Sequence, residues 1–470
     1  IILATLFLGY VSSTPYTKLY YDATYTKSNT LAKESQDVIK NLDGDLTITT
    51  YVNLMDEDLY SGLPRNRNND FKRFEKYYRF KPDIKMKYVY YYDKANNSSL
   101  EWRFPNKTFE ERVELLCQAN KLNRKMFMTP EEIKEIIDLT PEHNKFIRIV
   151  ERENGQKAYL RMFNDNEKHP AEAEISATLK RFISPSPMVA FSIGYGSREI
   201  DNYGGRGFYL FAEDKWFRQS LLNNGFDTKT IDLDKDPIDD SINVLVISDL
   251  REPLSDAALE KVQNYIAKGG NLFILGEYGR SENMNKLTEP LGVKFSDGVL
   301  VNKNEYTSPT VLIGFFTEDA AKKYPMYEKL HKYGYVVALP TSVALDYSNV
   351  RDFEVTPVLL SDKEAWLERE TTDFVDGEFV YHPSAGEEMG KHTVFLTMKR
   401  KIGDKEQRIV ISGDSDFIAN EALTSQFAGI SASNYSIING SFRWLSYEQF
   451  PIDTQRAEAI DSRLRLPKGC

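Results

Sequence analysis

The chain has 470 residues and a formal net charge of −10, with a pI near 5.3. At ~100–200 residues per domain that length allows about two to four domains, and the acidic balance argues against a nucleic-acid binder, which needs a basic face. Hydrophobic residues make up 41% and charged residues 28%, enough apolar material for a globular core.

The first eleven residues, Ile1–Val11, are apolar and uncharged. They fall short of the ~20 residues that span a bilayer and lack the basic region of a signal peptide. The expected reading of 1–13 is the trailing end of a transmembrane helix; the alternative is a buried first strand or helix. No other segment approaches membrane length. Next, Ser28 or Asn29 is positioned to cap a helix whose apolar line is Leu31, Val38, Ile39 and Leu42. Asp43-Gly44-Asp45 ends it, and Leu46–Val52 alternates as a strand does. A second amphipathic helix covers 69–80 and a strand 84–93, so 14–95 reads as a βαβ-like unit. Residues 96–145 are helical and charged, around Phe109–Asn123 and Pro130–Asp138. A hairpin turning at Asn154-Gly155 follows, then a helix over 172–183. Ser184-Pro185-Ser186-Pro187 is a linker, which sets domains of 14–184 and 185–450 and a closing linker of 451–470.

Beyond it, strand and helix alternate: strand 188–193, a glycine-rich loop, a helix about Tyr209–Asn223, strand Thr228–Leu233, strand 242–249, helix 255–270 and strand 271–277. In the helix after Ser255, Leu259, Val262 and Ile266 form an apolar line and Gly269 stands at the stop. Fully apolar strands alternating with helices predict an α/β domain with a parallel sheet covered on both faces. A late hairpin (393–400 with 407–414) and a closing helix (434–447) complete it.

Ligands of open parallel sheets sit beyond the strand C-termini. Those ends are "GYGSRE" (194–199), "SDLREP" (248–253), "GEYG" (276–279) and "SGDSDF" (412–417). They supply the candidate cleft residues Tyr195, Glu199, Glu277, Tyr278, Asp414 and Asp416, with carboxylates as hydrogen-bond acceptors and tyrosines as stacking faces for a glycan or peptide. Ser415 lies in a Gly-Asp-Ser that some hydrolases use as a nucleophile. Such a serine needs a histidine base, and His143, His169, His331, His382 and His392 all precede it, so no catalytic residue is expected. Asp414 or Ser415 is expected instead to cap the next helical turn, with Phe417 and Ile418 packing beneath. The acidic run Asp232–Asp240 lacks the Gly and Glu that a calcium loop requires, having Pro237 and Asn243 there. The glycines of Asn202–Phe208 lack phosphate-loop spacing. Cys117 and Cys470 are too few for a disulfide framework or a thiolate metal cluster. No metal or cofactor is expected.

Several stretches in order, "KSNTLAKESQDVIKNLDGDLTITTYVN", "IGYGSRE", "NVLVISDLREPLSDAALEKVQNYIAKGGNLFILGE", "RIVISGDSDFIAN" and "NYSIINGSFRWLS", resemble the extracytoplasmic auxiliary protein of ABC-2-type exporters of the gliding-motility GldG type. Tyr195 stands where that family often has His, and Leu250 where Pro is common. The resemblance implies a thioredoxin-like α/β domain followed by a class I glutamine-amidotransferase-like, flavodoxin-like doubly wound domain. It also implies a non-enzymatic partner of an ABC-2 permease and its ATPase, held at the bacterial inner membrane by flanking helices with its soluble part in the periplasm, where it would meet a secreted cargo or glycan. The alternative function is a periplasmic glycan- or peptide-binding domain.

Overall fold

The computed structural model describes residues 20–305, 307–374, 376–425 and 430–458, together with 2, 5, 9 and 10. The opening segment 1–13, apart from those four residues, and residues 459–470 of the closing linker lie outside them. Among the described residues no helix is long and apolar enough to cross a membrane. The chain divides into two compact units, Ile1–Pro185 with Ile452–Cys470, and Ser186–Pro451.

The first unit opens with α1 (Lys33–Lys40), β1 (Leu46–Asn53), α2 (Arg67–Tyr78) and β2 (Lys85–Tyr91). β1 and β2 pair in parallel across the α2 crossover, the βαβ arrangement expected from their periodicity. α1 starts later than the Ser28 or Asn29 cap predicts. The Asp22 carboxylate takes the Asn29 N–H at 2.8 Å and the Thr24 N–H at 3.0 Å, which holds this stretch in a turn. α3 (Phe109–Asn120) and α4 (Pro130–Ile136) each begin with a reciprocal capping box, Thr108 with Glu111 and Thr129 with Glu132. The hairpin of β3 (Ile147–Arg152) and β4 (Lys157–Arg161) follows, and α5 (Glu172–Lys180) closes the unit. Sheet order is β2-β1-β3-β4.

In the second unit the chain runs β5 (Met188–Ile193), β6 (Asp227–Asp232), β7 (Ile242–Ser248), α6 (Asp256–Ala267), β8 (Leu272–Leu275) and α7 (Ser281–Thr288). It continues through β9 (Lys294–Phe295), β10 (Val299–Val301), β11 (Val311–Phe316), β12 (Val336–Pro340), β13 (Leu345–Asp346), β14 (Glu354–Leu360), β15 (Trp366–Glu368), β16 (Thr393–Ile402), β17 (Lys405–Ser412) and α8 (Asn434–Leu445). Nine of these strands form one sheet in the order β12-β11-β14-β16-β17-β8-β7-β5-β6. The expectation of a parallel sheet closed by one late hairpin is correct for that hairpin but needs correction for the strands beyond it. β6, β5, β7, β8 and β17 are parallel, whereas β16, β14, β11 and β12 add an antiparallel half. β17 joins the halves, parallel to β8 on one side and antiparallel to β16 on the other. The parallel half has the doubly wound order 2-1-3-4-5, whose switch point lies between its first and third strands, here β5 and β7.

Alternation along the strands covers both faces. Leu272 and Ile274 of β8 join the core under α6 and α7, with Val262, Ile266, Met284 and Leu287. Phe273 turns to the other face and meets Phe395 and Phe442, ring centroids 6.1 and 5.5 Å away. The helix expected over Tyr209–Asn223 is confined to Tyr209–Ala212. Asp214 accepts the Trp216 and Phe217 N–H groups, and the Asn223 amide donates to the carbonyls of Asp214, Lys215 and Phe217. Short polar side chains thus take the backbone partners a helix would need.

The outer edge of β12 is closed by the main chain of Ser431–Ser433, which bonds Val336, and by one side chain. Asn434 Oδ1 accepts the Ala338 N–H at 3.0 Å, and its Nδ2 donates to the carbonyls of Ala338 at 3.0 Å and Phe417 at 2.9 Å. Asn434→Ala leaves these buried groups unpaired and is expected to cost about 2–3 kcal/mol, read from the urea unfolding midpoint; an unchanged midpoint would show that the amide does not hold this edge.

Candidate functional site

Four strand ends converge at the C-terminal edge of the parallel half: Gly194–Arg198 after β5, Asp249–Arg251 after β7, Gly276–Arg280 after β8 and Gly413–Phe417 after β17. Backbone bonds set their spacing. Asp249 N–H reaches the Leu275 carbonyl at 2.9 Å, Gly276 N–H reaches Ser412 at 2.8 Å, and the Tyr195 carbonyl accepts the N–H groups of Arg251 and Glu252 at 2.9 and 3.1 Å. Gly413 is required by close approach, because a Cβ there would lie 2.1 Å from the Val343 carbonyl oxygen.

The centre of the site is Arg198, whose side chain is 2% exposed. Its Nε donates to Asp249 at 2.9 Å, its Nη2 to Glu277 at 3.3 Å, and its Nη1 pairs with Asp416 at 2.5 Å. Arg206 and Arg280 also pair with Asp249, the latter at 3.0 Å, and Arg251 lies 3.8 Å from it.

Of the six residues read from the sequence, the structure brings three together. Single carboxylate oxygens of Glu277, Asp414 and Asp416 lie within 4.8 Å of one another. Glu277 and Asp414 are buried, so they hold the fold's own groups. Glu277 accepts from the Thr341 hydroxyl at 2.6 Å and the Tyr278 N–H at 3.0 Å. Asp414 Oδ1 caps the turn through the N–H groups of Asp416 and Phe417, as expected, and Phe417 and Ile418 pack beneath. The other three stand apart from the acids. The Tyr195 hydroxyl donates to Asp234 and accepts from the Ser255 N–H, Glu199 is exposed, and the Tyr278 ring packs on Phe374. Ser415 does not cap. Its buried hydroxyl donates to the carbonyls of Gly276 at 2.8 Å and Leu275 at 3.1 Å, tying the β17 exit to the β8 exit. Sequence reading missed Arg198, Asp249, Arg206, Arg280 and Thr341. The signal was present in the quoted loops, where arginines and carboxylates face one another from neighbouring strand ends.

Burial, and then the Asp416 charge, push the Glu277 carboxyl up to about 8, against the opposing pull of Thr341 and Arg198. Burial and the neighbouring Glu277 and Asp416 likewise raise Asp414 well above the usual carboxylate range. A lone guanidinium shared among several acids does not keep all of them ionised, so part of this cluster carries protons near neutral pH. Asp414 Oδ2 has no hydrogen-bond partner, which fits a protonated or strained carboxyl better than a solvated one. A metal drawn to the three acids would have to compete with Arg198, already seated on two of them.

Two outcomes follow. Ser415→Ala removes the one hydroxyl proton shared between two buried carbonyls and should cost about 1–3 kcal/mol in denaturant unfolding. The raised Glu277 pKa makes the folded state bind more protons than the unfolded state. Its stabilising contribution is therefore complete below the ordinary value of 4.5 and is lost as pH rises through about 8. The melting temperature should fall over that interval, and fall less in Glu277→Gln; identical slopes would contradict the assignment.

Known proteins were compared with the chain. Curated proteins give no match. Among solved structures, the mmIFT52 N-terminal domain is similar at 15% identity and a TM-score of 0.39, over 55% of this chain and 97% of that one. A protein described as ThuA-like from Parabacteroides merdae ATCC 43184 is similar at 10% identity and TM-score 0.31, over 56% and 91%. The exo-beta-1,4-mannosidase Op5Man5 from Opitutaceae bacterium strain TAV5 gives 10% identity and TM-score 0.27, over 59% and 40%. All three scores lie below 0.5. A family model described as an ABC-type uncharacterized transport system matches residues 186–437, which is more than half of the chain and holds all four strand ends of the arginine–carboxylate cluster. The chain belongs to this family of ABC-type transport auxiliary proteins.

Proposed function

We propose that the chain is a non-catalytic auxiliary protein of a GldG-type ABC-2 exporter. It is anchored at the bacterial inner membrane by flanking helices, its two units stand in the periplasm, and it acts by contact with the permease and ATPase or with cargo. The family match over residues 186–437 carries this reading. The strand-end chemistry supports it. Ser415 Oγ is occupied by two main-chain carbonyls, Glu277 and Asp414 are buried, and the strongest charges at the edge bind each other. Such a cluster fixes loops and leaves no activated nucleophile at Ser415.

The finer fold assignments belong to the same proposal. A parallel βαβ followed by an antiparallel hairpin and a closing helix, in the order β2-β1-β3-β4, supports a thioredoxin-like first domain. The 2-1-3-4-5 parallel half supports a glutamine-amidotransferase-like second domain. A glycan or peptide cleft built on the six strand-end residues is less well supported, because two of its acceptors are buried.

Affinity purification of the tagged chain with its flanking membrane segments, from its own host, is expected to recover an ABC-2 permease and an ATPase. Repeated recovery of neither, from membranes in which the chain itself is abundant, would reject the assignment.

A further inference from the structure

The charges around Asp249 do not balance. Arg198 is matched on its far side by the Asp416 carboxylate, while Glu277, whose pKa is pushed up to about 8, accepts its hydrogen bond without adding a full charge near neutral pH. That leaves Arg206, Arg251 and Arg280, three positive groups, facing one carboxylate that Arg198 already shares. A carboxylate offers about four lone-pair sites, and each guanidinium carries five N–H donors. Most of the donors on this fringe are therefore unused by Asp249. Arg280 spends one more on the Gly279 carbonyl at 3.0 Å. The Arg251 guanidinium is 3.8 Å from Asp249 and makes no side-chain hydrogen bond among the described residues. It is nevertheless held in place. Its N–H is fixed to the Tyr195 carbonyl, and its aliphatic stem lies against Gly196, where a Cβ would come 2.7 Å from the Arg251 Cβ. The three side chains remain open to solvent at 45%, 43% and 27% for Arg206, Arg251 and Arg280. Desolvation first, and then the neighbouring Arg206, Arg280 and Arg198, hold the Arg251 guanidinium below its ordinary value despite Asp249.

The position is also informative. The arginines come from the β5 crossover, the β7 exit and the β8 exit, around the switch point between β5 and β7. In doubly wound sheets this crevice takes anionic groups, held by the N-terminus of the helix after the first strand. Here that crossover holds just the four-residue helix Tyr209–Ala212 and the 3-10 turn Leu222–Asn224 among its described residues, both too short to supply a dipole, and the loop before them supplies Arg206 instead. Three positive charges against one negative leave an excess that suits a dianion. A phosphate monoester carries about −1.5 to −2 at neutral pH and three acceptor oxygens, and guanidinium groups bind such oxygens in pairs. The glycines of the 202–208 loop play no phosphate-cradling part; the loop contributes the Arg206 side chain.

We propose that Arg206, Arg251 and Arg280, gathered around Asp249 at the strand-end crevice of the second unit, bind the dianionic phosphate of a phosphate monoester. The site goes beyond the transport assignment and does not depend on it. The test uses the full chain at pH 7.5 and constant ionic strength. Isothermal titration with glucose 6-phosphate reads a soluble monoester, co-sedimentation with phosphatidate-containing vesicles reads a lipid one, and succinate is the dicarboxylate control. Binding of either monoester, with succinate at least about tenfold weaker and affinity falling at least about tenfold in Arg251→Ala, which is 1.4 kcal/mol or more, supports the site, and the arm that binds names the source. Arg251→Lys should recover part of the affinity. Circular dichroism and melting of Arg251→Ala should match the parent, since the side chain is partly exposed and its one polar contact is the long ion pair to Asp249 at 3.8 Å, of the weak surface kind. Absence of monoester binding up to about ten millimolar, equal binding in Arg251→Ala, or succinate binding as tightly as the monoester overturns it.

Discussion

Everything at the strand-end edge of the second unit depends on burying Arg198. Taking a guanidinium out of water costs several kcal/mol, and the cost is offset only when its donors are filled by well-placed acceptors. Arg198 leaves β5, Asp249 leaves β7, Glu277 leaves β8 and Asp416 follows β17, so one side chain is satisfied only if four loops arrive together. The parallel register of those strands makes this possible, because it delivers all four C-termini to the same edge. A displacement of any one loop would leave a charge buried without its partner, so the loops are held as a group.

The same condition explains which parts of the fold could be read in advance. The strands β5, β7, β8 and β17 announce themselves as apolar runs because each is covered on both faces, and α6 carries a cap, an apolar line and a glycine stop at the expected places. Local pattern and tertiary environment agree there. They disagree at Tyr209–Asn223, whose apolar residues suit a helix. Asp214 and Asn223 instead engage the backbone around them, and the chain folds as a sequence of turns. Of the antiparallel half only β16 was read in advance, as one arm of the late hairpin with β17; β11, β12 and β14 were not, since their pairing joins segments separated by loops and helices rather than by a tight turn.

The candidate site was legible in outline. Strand ends were the right place to look, and Glu277, Asp414 and Asp416 do meet. Their partners were overlooked because a search for acceptors and stacking faces passes over arginine. Opposite charges on successive strand ends mark groups that will face one another once the sheet forms, and here they point to Arg198 and Asp249 in "GYGSRE" and "SDLREP". The segment matched by an ABC-type transport auxiliary family thus holds a buried arginine–carboxylate cluster with an arginine fringe facing water.

Gly413 adds a lesson about motifs. It is glycine because the Val343 carbonyl oxygen occupies the space where a side chain would begin. Asp414 then secures the next two N–H groups, and the Ser415 hydroxyl reaches across to β8. Steric and hydrogen-bonding demands at one turn are enough to produce Gly-Asp-Ser. A triplet that spells a hydrolase nucleophile can therefore arise independently as a solution to strand-exit geometry. What separates the two is whether the serine hydroxyl is turned outward to solvent or, as here, inward to the main chain.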